Sequence, residues 1–553
     1  MNSVFKSDKF RKVKRMKNLR KYFLVSILTG SIFFLAGFGL GSADLFFQIT
    51  KNMEIFGKLY REVMVNYVDE IDPSALMKHG IDAMLDGLDP YTVYMDDSSN
   101  EVELLMTGSY GGVGITVLEK ESEIIISDVI EGYSAQKEGL RLGDTIVKVD
   151  TVAIKSINEM GKLVKGKPGT RIKMFVKRAG FPEPLEFNLT REKIELKNVP
   201  VAAVLPNNIG YIQLARFNKN AAEEVKQALL KFKPETLKGL ILDLRGNPGG
   251  RLDEAVDISK KFLPRNSMIV FTKGRSESSN QQYRSDESPI YPTGKMIVLI
   301  DSMSASASEI VAGALQDHDR ATLVGIKSYG KGLVQTIAPV GYNNSLKITT
   351  ARYYTPSGRC IQIRDINDKT LRNSKTIIDS IKVFKTDSGR ELKEANGIMP
   401  DYIVSNSTLP EIVNELELRG LFFDFSSNYA ISNPSLNEKF VLTDKIFDDF
   451  LKFVEKEKFT SKMSAYQVID GLKSKLEKDT EFASLIKKLE SSKTDFHSAV
   501  INDLKSHKQV ISVKLRKEIL SRKLSDQDVF LNTYQEDVYM KNALDYLTAQ
   551  AKK

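Results

Sequence analysis

Gly239-Leu240-Ile241-Leu242-Asp243-Leu244-Arg245-Gly246-Asn247-Pro248-Gly249-Gly250 is an apolar run that stops in a turn of three glycines and one proline. A short apolar run bounded by turn residues predicts a buried strand. The turn exposes backbone N–H groups at the strand's carboxyl end, which is where α/β folds build their sites. Gly210–Leu214 and Lys295–Ile300 read as further strands. Helices are expected over Ala221–Phe232 and from Ser306 to Gln316. Strands alternating with helices imply βαβ units and a helix-covered sheet. We place this α/β core at residues 191–405.

Residues 107–190 change character. Tyr110-Gly111-Gly112-Val113-Gly114-Ile115 is a Gly-rich turn entering a strand over Gly114–Glu119. Ile124–Val129, Arg171–Arg178 and Glu186–Arg191 read as strands, as does the end of Leu142-Gly143-Asp144-Thr145-Ile146-Val147-Lys148-Val149-Asp150. Short helices are expected over Ser134–Leu140 and Glu159–Val164. This order resembles a permuted PDZ domain. The resemblance implies that Gly112, Val113, Gly114 and Ile115 form a loop whose backbone N–H groups take a peptide's terminal carboxylate, the peptide adding as a strand to the sheet edge. Residues 44–106 read as helical, ending at the Asp89-Pro90 turn. Residues 406–429 read as a linker. Residues 430–553 hold one Gly and one Pro, with apolar residues at helical spacing (Phe447, Phe450, Leu451, Val454), and predict a bundle of amphipathic helices. That extension shows no chemistry and reads as a cap, brace or docking surface.

The chain has 553 residues, 42% hydrophobic and 27% charged, which excludes a disordered chain, a fibre and a multi-span membrane protein. Its net charge of +9 first suggests nucleic acid. Residues 1–21, however, hold nine basic side chains against the single acid Asp8, so the rest of the chain is close to neutral. Tyr22 to Ala43 follows as 22 uncharged residues, enough to cross about 30 Å of hydrocarbon as a helix. Cations before the span stay cytoplasmic by the positive-inside rule. Residues 1–21 thus read as a basic cytoplasmic segment and 22–43 as a retained anchor; Gly41-Ser42-Ala43 leaves cleavage and secretion as the alternative. One cysteine, Cys360, excludes an intramolecular disulfide and a zinc ribbon. Four scattered histidines offer no metal-ligand spacing, and neither metal nor cofactor is expected.

Two more segments could carry chemistry. Asp301-Ser302-Met303-Ser304-Ala305-Ser306-Ala307-Ser308-Glu309 puts four serines just before a helix. A nucleophilic serine there gains from the helix dipole and free N–H groups; a serine that only caps the helix is the plainer possibility. The spacing does not choose among the four. Gly325-Ile326-Lys327-Ser328-Tyr329-Gly330-Lys331-Gly332-Leu333-Val334-Gln335 is close to a P-loop, but Gly332 stands where the metal-binding hydroxyl belongs, and a strand follows. Nucleotide binding is not expected. A serine nucleophile needs a base. A lysine serves if its pKa falls from about 10.4 toward about 7, a difference of about 4.6 kcal/mol that burial supplies. Lys331 is one candidate; His318, in a polar turn, is its rival.

Taken together, these segments resemble the carboxyl-terminal processing peptidases, or tail-specific proteases. The resemblance runs over about residues 45–405, through Tyr67-Val68-Asp69-Glu70, Leu88-Asp89-Pro90, Gly239–Gly250, the serine run, Tyr329-Gly330-Lys331-Gly332, Arg352–Arg359 and Gly397-Ile398-Met399-Pro400-Asp401. It implies an α+β multidomain protein: an α/β, crotonase/ClpP-like serine peptidase core with an inserted PDZ domain, an N-terminal helical segment and an α-helical C-terminal extension. It implies Ser306 as nucleophile, Lys331 as general base, Gln335 as the residue orienting that lysine, and the N–H groups of Gly250 and Ala307 as the oxyanion hole. Asp301-Ser302-Met303 departs mildly from the family pattern, which has Gly or Asn there more often. Expected partners are proteins or peptides with free C-terminal tails, the membrane through the N-terminal segment, a second copy through the N-terminal helices, and an adaptor protein; nucleic acid is not among them. The expected location is the bacterial inner membrane, with the body in the periplasm. A tail-capturing scaffold with an inert core is the competing reading, which a serine-reactive probe separates. A crotonase-like acyl transfer on small molecules is a third, and the PDZ module speaks against it.

Overall fold

The structure, a computed structural model, describes residues 44–95, 108–120, 122–130, 132–178, 181–362, 382–393, 396–404, 409–457, 459, 471–476 and 482–549. The expected anchor at 22–43 lies outside them, and no helix among the described residues is long and apolar enough to cross a membrane. Two compact units form, one ending at Gly87 and the other starting at Leu88. The first holds helix α1 (44–66) and α2 (Pro73–Leu85). Asp72 caps α2, its carboxylate accepting from the N–H groups of Ser74 and Ala75 at 2.7 and 3.1 Å, with Pro73 at the first helical position. The helical reading of 44–106 is corrected at 93–95, and its last residues, 96–106, lie outside the described ones. After the Asp89-Pro90 turn the chain forms strand β1 (Val93–Met95), because it pairs with a distant strand of the second unit.

The PDZ region begins with β2 (Ser109–Gly112), β3 (Ile115–Lys120) and β4 (Glu123–Val129). It continues through α3 (Ser134–Glu138), β5 (Thr145–Val149), β6 (Val152–Ala153), α4 (Ile157–Val164), β7 (Arg171–Lys177) and β8 (Leu185–Thr190). The sheet order is β3-β4-β5-β7-β8, so β3 is an edge strand. Ile124, Ile126, Ile146, Val149, Met174, Val176 and Leu189 fill its core; Ile124/Ile126 and Met174/Val176 are spaced in twos as a half-buried sheet requires, and an irregularity in β5 sets Ile146 and Val149 three apart. β9 (Glu192–Glu195) pairs antiparallel with β2, so the two crossings between this domain and the next run as one ribbon.

The peptidase region is built on a second sheet: β10 (Val201–Leu205), β11 (Ile209–Gln213), β12 (Gly239–Asp243), β15 (Lys295–Ile300), β16 (Thr322–Gly325) and β21 (Tyr402–Ile403) in that spatial order. All are parallel from β11 onward. α5 (Ala221–Phe232), α6 (Leu252–Lys260) and α7 (Ala307–Asp317) cover one face, packing on Ile212, Leu240, Leu242, Val298 and Ile300. Between these elements, β13 (Met268–Gly274) and β14 (Gln282–Arg284) join β17 (Leu333–Gly341), β18 (Asn344–Tyr354) and β1 in an antiparallel sheet. β19 (Val383–Lys385) and β20 (Glu391–Lys393) form a small hairpin.

The expected linker at 406–429 is also corrected. Helices α8 (Glu411–Leu418) and α9 (Leu421–Ser432) occupy it, and Ile412, Val413, Leu416, Phe422 and Phe425 are core residues. Gly420, in a left-handed conformation between them, breaks what would otherwise be a readable helical period. α10 (Asp444–Lys456), α11 (Ala483–Ser506) and α12 (Lys508–Ser521) complete this bundle. α13 (Asp526–Thr533) and α14 (Val538–Ala549) leave it. Tyr534, Met540, Ala543 and Leu547 cover the other face of the peptidase sheet, over Ile209, Tyr211, Ile241, Ile297 and Leu299. The C-terminal extension therefore supplies the third layer of the peptidase core.

Candidate active site

Three neighbouring parallel strands each deliver one segment at their carboxyl ends: β12 the Gly-rich turn, β15 the serine run, and β16 the loop holding Lys331. The serines separate by what they bond. Ser304 Oγ donates to the Leu244 carbonyl at 2.8 Å and Ser308 Oγ to that of Asn247 at 2.9 Å, both buried. These two hold the Gly-rich turn against the serine run. Ser302 is exposed. Ser306 stands at the N-terminus of α7 with φ 54° and ψ −111°, a conformation costly for a residue with a Cβ. Strain of this kind needs surroundings that enforce it, and Gly249 is among them. A Cβ on Gly249 would lie 2.7 Å from the Ala305 carbonyl and 2.9 Å from Ser306 Cβ. Only glycine, here at φ +98°, lets the turn approach so closely.

Glu309, fully buried, joins the serine run to the lysine loop. Its Oε2 accepts from the N–H groups of Ser306 at 2.8 Å and Lys331 at 2.9 Å. Its Oε1 accepts from Ser328 Oγ at 2.6 Å and the Gly330 N–H at 2.7 Å. Burial pushes its pKa up, opposed by these four donors. Tyr353, also buried, points its hydroxyl at the backbone carbonyls of both Ser306 and Lys331. Two buried side chains thus hold the two segments side by side. Lys331 Nζ lies 4.4 Å from the centre of the Tyr91 ring, which arrives on the Asp89-Pro90 turn beside β1.

Among the described residues, neither the Gly250 nor the Ala307 N–H donates to a protein acceptor. At Gly250 the bonds flanking a bridge to Phe217 use the Gly249 carbonyl and the Arg251 N–H instead. Gln335 is partly buried on β17, its amide donating to Thr349 Oγ1 at 3.4 Å. The Gly112–Ile115 segment sits apart, in the PDZ region. There Gly114 is at φ +85°, and a Cβ would meet Tyr133 Cβ at 2.5 Å. His318 caps the far end of α7, twelve residues and so about 18 Å along the helix from Ser306. Its ring nitrogens lie 2.6 Å from an Asp387 oxygen and 2.6 Å from the Met268 carbonyl, which removes it as the rival base. Glu309, Tyr353 and Tyr91 were not singled out from sequence. Glu309 reads there as an ordinary capping acid, and the tyrosines reach the site only through β1 and β18.

Four family models match. Residues 208–370 match peptidase family S41, 111–189 a PDZ domain, 42–99 the activating protease CtpB N-terminal domain, and 412–547 the C-terminal helical domain of probable PDZ-proteases. The chain is 38% identical over 348 residues to a carboxy-terminal-processing protease of Bartonella bacilliformis, covering 60% of this chain and 80% of that one. It is 29% identical over 398 residues to the carboxy-terminal processing protease CtpA of Bacillus subtilis, covering 69% and 84%. Among solved structures, the photosystem II D1 C-terminal processing protease is 26% identical, covers 64% of this chain and 93% of its own, and gives a TM-score of 0.35. With a PDZ domain between a helical N-terminal segment and an S41 core, and a relative of this identity matched over most of its length, the chain belongs to the carboxy-terminal-processing proteases, serine-type peptidases of family S41.

Proposed function

We propose that this enzyme cuts exported proteins near their C-terminal tails with a Ser306–Lys331 dyad. The observation that carries this reading is the Glu309 carboxylate, whose one oxygen accepts from the N–H groups of both residues. Neutral Lys331 takes the Ser306 hydroxyl proton as Oγ attacks the scissile carbonyl, then delivers it to the departing amine. Gln335 orients Lys331. The oxyanion rests on the Gly250 and Ala307 N–H groups, which have no protein acceptor among the described residues; one such donor is worth about 3 kcal/mol. Water then hydrolyses the acyl-enzyme.

The PDZ loop Gly112-Val113-Gly114-Ile115 holds the substrate's terminal carboxylate, and the tail adds along β3, which is a sheet edge. Nine cations ahead of 22 uncharged residues support anchoring in the inner membrane of a bacterial envelope, with the body in the periplasm. Leu45, Phe46, Ile49 and Met53, exposed on α1, support pairing of two copies through that helix. The test is turnover of an unfolded protein with a free tail. Ser306→Ala and Lys331→Ala should each abolish cleavage while leaving the thermal transition in place. Full-rate cutting by Lys331→Ala would sink the dyad.

A further inference from the structure

We propose that Asp537, in the C-terminal helical extension, is a positioning residue for the oxyanion turn and acts through Arg245. The proposal rests on assigning the Gly250 N–H to the oxyanion. Arg245 opens the turn that ends at Gly250. Its guanidinium is held on one side by Asp243, with Nε to Oδ1 at 2.9 Å and Nη2 to Oδ2 at 2.6 Å. On the other side it meets Asp537, with Nη1 to Oδ1 at 3.0 Å and Nη2 to Oδ2 at 2.8 Å. The Tyr539 ring lies 4.7 Å from the guanidinium carbon. Such fork-to-fork pairing fixes the plane of the guanidinium as well as its position.

The two carboxylates differ in what they tie down. Asp243 and Arg245 are two residues apart on one segment, so their bond travels with the turn if the turn shifts. Asp537 is 292 residues away. It is itself fixed at the start of α14, where its Oδ1 accepts from the Tyr539 N–H at 2.8 Å. α14 in turn is packed on the sheet through Met540, Ala543 and Leu547. The rest of the turn is held within the peptidase region, by Gly246 N–H to Asp301 Oδ1 at 3.0 Å near the surface and by Asn247 Nδ2 to the Leu214 carbonyl at 2.6 Å in the core. Among the described residues, Asp537 supplies the ion pair that ties the turn's first residue to the third layer, beside the Tyr539 ring. Oxyanion donors misplaced by a fraction of an ångström lose much of their effect, because they act only in the geometry of the transition state.

The test uses the full-length protein with Asp537→Asn, which keeps the size and helix-capping ability of the side chain and removes the charge. The expected result is a kcat lower by about tenfold with KM for an unfolded protein substrate unchanged. The rate of inactivation by an alkyl fluorophosphonate, whose phosphoryl oxygen occupies the oxyanion position, should fall in parallel. Binding of a peptide with a free C-terminal carboxylate should stay as in the parent. Asp537→Glu should recover most of the rate, measured well below each variant's Tm. A lowered Tm with unchanged kcat and unchanged inactivation rate would overturn the proposal and leave Asp537 a brace. Cleavage by Ser306→Ala would instead defeat the nucleophile assignment beneath it.

Discussion

Glu309 carries more of the site than its place in the sequence suggests. Each carboxylate oxygen takes two donors, and these come from Ser306, Ser328, Gly330 and Lys331. Glu309→Gln would turn one acceptor oxygen into an N–H₂ group facing donors it cannot satisfy. A buried donor left without a partner costs about 1–3 kcal/mol. The expected outcome is an unfolding free energy in urea lowered by that amount and a larger loss of activity, since the mismatch falls between the two reacting segments. Activity and urea unfolding measured on the same preparation check it; unchanged activity at lowered stability would show that Glu309 only packs. At this scale the sequence left four serines open, because Ser304 and Ser308 are set apart from Ser306 by carbonyls some sixty residues away, on Leu244 and Asn247, and by the strained backbone of Ser306 itself. The family resemblance, not the spacing, pointed to Ser306.

Among the elements, the Gly-rich turn is the one whose shape the sequence states most directly. An apolar run ending in three glycines and a proline reads as a strand entering a turn, and β12 and its turn stand where they were expected. Gly249→Ala tests the turn. The new Cβ would fall within 3.0 Å of the Ala305 carbonyl and Ser306 Cβ, at a φ of +98° that alanine resists. Overpacking at a site with no room costs about 1–3 kcal/mol, and here it pushes on the candidate nucleophile. We expect a large loss of kcat with a modest fall in Tm; kcat at the parent's value would show that the turn relaxes away from Ser306. What the sequence hid at this scale were elements defined by distant partners. β1 is three residues that become a strand only against β18. α8 and α9 are short helices split at Gly420, so neither shows enough turns to declare its period.

For the whole molecule, the C-terminal extension matters because a parallel sheet must be covered on both faces. The helices between strands cover one face. Tyr534, Met540, Ala543 and Leu547 cover the other, and nothing in their own helical spacing named the sheet as their target. Met540 is fully buried there, so Met540→Ala should cost about 2–5 kcal/mol in urea unfolding of the peptidase region; a cost below 1 kcal/mol would mean that the layer is loosely applied. The same layer brings Asp537 to Arg245, which gives the joint a pH signature. Burial pushes the Asp537 carboxyl up, but Arg245 and the N–H groups of Tyr539 and Met540 outweigh it and hold the group below its ordinary value. A depressed carboxylate stabilises the fold above its unfolded pKa of about 3.9 and loses that contribution as pH falls through the lower folded value. The stability difference between the parent and Asp537→Asn should therefore be constant from pH 8 to about 5 and shrink only below about pH 4. Urea midpoints of the two proteins measured side by side across that range decide it. A difference that closed near pH 6 would mean that some other group, and not the Asp537 carboxylate on Arg245, joins the extension to the turn.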